Sequence, residues 1–73
     1  MYFLRIGDDY LEDAIGFKTL KGARDEYEDI AAELSMYGQS LQASIHKASS
    51  IEGVVEYPDY VLSYKDKVVM ESA

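Results

Sequence analysis

From Tyr2 to Ile6 the chain alternates, with Tyr2, Leu4 and Ile6 on one side and Phe3 and Arg5 on the other, which is the period of a β-strand. Gly7-Asp8-Asp9 ends it. Residues 10–18 stay open, because Ala14-Ile15-Gly16-Phe17 can form a short strand while Tyr10-Leu11-Glu12-Asp13 can form a turn. The period then changes. Leu20, Ala23, Tyr27, Ile30, Leu34 and Tyr37, with Ala31 beside them, recur at spacings of three and four and mark one face of an amphipathic helix. Thr19 is placed to cap its first turn with a hydroxyl oxygen, and Gly38 to close its last. The spacing predicts a helix over 20–37.

Alternation returns at Leu41, Ala43 and Ile45, set against Gln42, Ser44 and His46, and predicts a strand with one wet face. Glu56-Tyr57-Pro58-Asp59 is a turn signal ahead of Tyr60-Val61-Leu62-Ser63-Tyr64, a run rich in aromatic and β-branched residues. Lys65-Asp66-Lys67 then joins it tightly to Val68-Val69-Met70, so the last two strands should be an antiparallel hairpin. The expected fold is α+β in the order β-α-β-β-β, with one helix on one face of a three- to four-stranded, mainly antiparallel sheet. The helix should cover Leu4, Ile6, Leu41, Ala43, Ile45, Leu62 and Tyr64. The other face, with Phe3, Arg5, Gln42, Ser44, His46, Val61, Ser63 and Lys65, is expected to stand open.

With 73 residues there is room for one core, and 1–73 reads as a single domain. No cysteine occurs, so disulfides and thiolate metal sites are excluded, and the first residues do not read as a secretory leader. The cytoplasm is the expected location. Fourteen acidic residues against seven basic ones give a net charge of −7, which disfavours nucleic acid and anionic membranes and favours a basic partner.

The residue patterns that catalysis uses are missing. His46 is the only histidine and reads as a solvated strand residue, the serines lie in no G-x-S-x-G pattern, and the five glycines build no phosphate-binding loop. Four carboxylates fall within Asp8 to Asp13, but without the glycine and closing glutamate of a calcium loop they read as a solvated turn. No enzyme, cofactor or metal is expected.

The helix carries the clearest functional signal. Asp25, Glu26, Glu28, Asp29 and Glu33 crowd its outer side, while Lys21 and Arg24 sit in its first turns, an arrangement that opposes the helix dipole. Asp25 with Asp29, and Asp29 with Glu33, also repel at i,i+4. Such a row is either a solubilising face or a set of carboxylates offered to a basic surface. Asp25, Glu28, Asp29 and Glu33 are therefore the candidate partner-binding residues, joined by Tyr10, Tyr57 and Tyr60, which lie in or beside turns. Tyr27, Tyr37 and Tyr64 are assigned to the core or its edge.

The stretches Ala23-Arg24-Asp25-Glu26-Tyr27-Glu28-Asp29-Ile30-Ala31-Ala32-Glu33-Leu34 and Glu56-Tyr57-Pro58-Asp59-Tyr60-Val61-Leu62-Ser63 resemble those of short acidic phage-encoded proteins. In size and charge the chain is similar to anti-CRISPR proteins. The resemblance is one of class and implies a non-enzymatic inhibitor in the host cytoplasm, docked on a basic nucleic-acid-binding surface of a bacterial defence protein such as a CRISPR effector subunit. The alternative is a structural or assembly protein that forms a homodimer, or holds a partner, through its open sheet face or an edge strand.

Overall fold

The computed structural model describes residues 1–73 and has one α-helix and five strands. They are β1 (Tyr2–Ile6), β2 (Ile15–Phe17), α1 (Leu20–Ser35), β3 (Ala43–Lys47), β4 (Tyr60–Tyr64) and β5 (Val68–Ser72). The sheet order is β2-β1-β3-β4-β5 with every neighbouring pair antiparallel. The α+β class is as expected, but the strand count and the order β-α-β-β-β are corrected. The chain forms an extra strand before its helix.

That strand exists because of a contact across the sheet. Gly16 pairs with Phe3, and a Cβ at Gly16 would lie 3.1 Å from the Phe3 ring and 2.9 Å from the Met1 side chain. The aromatic ring covers the bare backbone of the edge glycine, a pairing that holds short edge strands in place. β2 and β3 then flank β1, and α1 carries the chain from one to the other.

Local chemistry sets the ends of α1. Thr19 Oγ1 accepts from the Gly22 N–H at 3.0 Å, filling one of the orphan donors of the first turn. At the other end Gly38 adopts φ +72°, its N–H donates to Ser35 O and the Gln39 N–H donates to Leu34 O. These paired bonds form the Schellman closure, which glycine enters without a steric cost. The helix stops at Ser35 rather than at residue 37, and Tyr37 is exposed outside it. The core assignment of Tyr37 is thereby corrected: the apolar spacing runs on past the point where the backbone turns away.

The core lies between α1 and one face of the sheet. Ala23, Tyr27 and Ala31 pack there against Leu4, Ala43, Ile45, Leu62 and Val68. Two of the three helix residues are alanines, so the helix sits close to the strands and Tyr27 fills the space between them. Its hydroxyl donates to Leu41 O, so the buried ring also ties down the chain entering β3. No helix is long and apolar enough to cross a membrane.

Candidate functional site

The second sheet face is open only in part: Gln42, Val61 and Lys65 are exposed as expected, but Phe3 and His46 are not. Residues 48–59, between β3 and β4, fold back over its β1–β3 half, and His46 is only 1% exposed. The reading of His46 as solvated is corrected, as is that of Phe3, which is also buried. His46 Nδ1 lies 2.8 Å from Val55 O and Nε2 lies 2.9 Å from Ser44 Oγ. A carbonyl can only accept, so Nδ1 carries the proton, and Nε2 of a neutral ring accepts from the Ser44 hydroxyl. The imidazole is a tie between strand and loop.

Two further contacts hold the same loop. The Lys47 N–H donates to the Asp59 carboxylate at 2.7 Å. Arg5 does more, because its Nε donates to Asp9 O at 2.6 Å while its Nη1 pairs with Glu56 Oε1 at 3.1 Å. One guanidinium thus joins the β1–β2 connection to the β3–β4 connection. Tyr10 follows Asp9 and Tyr57 follows Glu56, and the two rings are 75% and 83% exposed.

The acidic candidates lie on the other side of the sheet. On α1, Lys21 Nζ meets Asp25 Oδ2 at 2.6 Å and Arg24 Nη1 reaches Glu28 Oε2 at 3.9 Å, so these two carboxylates are partly neutralised. Asp29 and Glu33 are exposed and form no ion pair. The fold therefore separates the seven candidates into groups: the helix carboxylates Asp25, Glu28, Asp29 and Glu33 on α1, and Tyr10 and Tyr57 in the two connections that Arg5 joins. Tyr60 belongs with neither, since it is half-buried in β4 and packs against the core.

A shallow groove of about 520 Å³ runs between Gly7-Asp8 and residues 40–44, with Val61 on its far wall. Ser44 lines it, but the serine hydroxyl is engaged by His46. No three histidine or carboxylate side chains converge to hold a metal ion. Sequence reasoning passed over Arg5 and Val55. The available signal was an arginine on the strand face away from the helix with Glu56 in a later connection; Val55 is tied through its backbone carbonyl, which leaves no trace in the residue type. No family model, curated protein or solved structure matches the chain.

Proposed function

We propose that the chain is a non-enzymatic binding protein that docks the outer face of α1 on a basic protein surface, of the kind that otherwise holds nucleic acid. One observation carries this reading. Asp29 and Glu33 stand exposed with no ion pair beside the Asp25 carboxylate, although the fold gains nothing from holding like charges at i,i+4. Carboxylates so placed compete with phosphates for Lys and Arg. The resemblance to anti-CRISPR proteins adds a target, a CRISPR effector subunit in the cytoplasm of a bacterial host. Titrating the chain into an effector complex bound to target DNA tests it. The DNA should be displaced by the native chain and retained when Asp29→Lys and Glu33→Lys are combined, whereas displacement by both proteins would refute the role of the helix.

The assembly reading keeps one observation in its favour. β5 is an edge strand of five residues, and unpaired edges invite a further strand. A dimer formed this way would show as a concentration-dependent mass in light scattering and would be lost on Val69→Pro.

A further inference from the structure

The two connections that Arg5 joins carry a second exposed feature, separate from the acidic helix. Tyr10, Val55 and Tyr57 are 75%, 62% and 83% exposed, and none is needed by the core. They belong to two connections that the protein braces with some care. Arg5 clamps Asp9 and Glu56 together, His46 holds Val55 O, and Asp59 is fixed on Lys47 N–H. Bracing places two tyrosines one residue from the two Arg5 contacts, so little order has to be gained when they are covered by a partner.

The charge around them is of one sign. The β1–β2 connection carries Asp8, Asp9, Glu12 and Asp13, and residues 48–59 carry Glu52, Glu56 and Asp59, which is half of the 14 acidic residues of the chain. Neither connection contains a lysine, arginine or histidine. The single cation beneath them, Arg5, is consumed by the clamp, with its side chain 18% exposed. Exposed aromatic rings in a field of carboxylates suit a planar cation: a guanidinium can stack on a tyrosine face while its N–H groups reach carboxylates, which an ammonium does less well.

We infer that the Tyr10–Tyr57 surface is a docking site for arginine side chains of a protein partner. This rests on the reading of the chain as a binder of basic surfaces and adds a second contact beside the helix, one that reads arginine.

Hexa-arginine and hexa-lysine peptides, titrated separately and followed by backbone amide NMR shifts, test the inference. The native chain should bind hexa-arginine severalfold more tightly than hexa-lysine, because an ammonium also sits over a ring face but stacks on it less well than a guanidinium. Shifts should centre on residues 8–13 and 52–59. The Tyr10→Ala, Tyr57→Ala double variant should bind both peptides alike, and Tyr10→Leu, Tyr57→Leu, which keeps apolar bulk without the π-face, gives the same readout should the alanine pair fail to fold. Combined Asp29→Lys and Glu33→Lys should weaken both peptides and leave the arginine preference intact. Equal affinities in the native chain, a preference that survives both tyrosine pairs, or no binding of either peptide would overturn the inference. Should the preference hold while DNA displacement fails, the surface stands and the assignment of the partner falls.

Discussion

Replacing His46 with alanine separates the two descriptions of the second sheet face. A solvated strand residue changes stability by no more than about 0.5 kcal/mol when truncated. The structure instead buries the ring to 1% exposure and bonds both nitrogens. Two hydrogen bonds lost at about 1 kcal/mol each, with about 1 kcal/mol more for the hole left by the ring, give a loss of about 3 kcal/mol. For a domain of this size about 4–8 °C of melting temperature goes with each kcal/mol, so the midpoint should fall by about 12–24 °C. The loss should have a location as well. Hydrogen exchange should accelerate in residues 48–59 before it does in α1, because the broken tie holds the loop and not the helix. Ser44→Ala, which removes only one of the two bonds, should cost about 1 kcal/mol. A thermal melt of His46→Ala within about 3 °C of the native chain would refute the tie, since that corresponds to less than about 1 kcal/mol.

Burial pushes the Tyr27 hydroxyl above its ordinary pKa of 10.0, so the folded state holds that proton more tightly than the unfolded chain. Its contribution to stability is complete below pH 10.0 and is lost as pH rises through the folded value; absorbance of phenolate should show one of the seven tyrosines ionising only as the domain unfolds, and Tyr27→Phe should abolish that late step. Asp66, alone at the tip between paired Lys65 and Lys67, has φ +67°. Asp66→Gly should therefore raise stability by up to about 1 kcal/mol in a denaturant titration, and Asp66→Val should lower it.

How much of this was legible depended on whether a signal was local. Thr19 and Gly38 mark the ends of α1 through bonds to residues within five positions, and the β4–β5 hairpin follows from its own short turn. β2 could not be settled that way, since three residues with a glycine at the centre form a strand only when Phe3 covers Gly16 from the neighbouring strand. Alternation in β3 correctly put His46 on the face away from the helix. It could not say that residues 48–59 return over that face, because the path of a connection is set by long-range ties such as Arg5 to Glu56. For the same reason the sequence could not show that Arg5 brings the connections carrying Tyr10 and Tyr57 together, apart from the carboxylates of α1.

Carboxylates of α1 docked on a basic protein surface, as proposed, would hold it in a salt-dependent way, so the affinity for that partner at two ionic strengths is the deciding measurement. Between about 50 mM and about 500 mM salt the screening length shrinks from over ten to a few ångströms, so the native affinity should fall steeply. The Asp29→Lys, Glu33→Lys variant should bind weakly at low salt and vary little with salt, while melting near the native temperature, because position 29 then attracts Asp25 while the two introduced lysines repel each other at i,i+4. A variant that binds like the native chain at low salt, with the same dependence on ionic strength, would contradict the account.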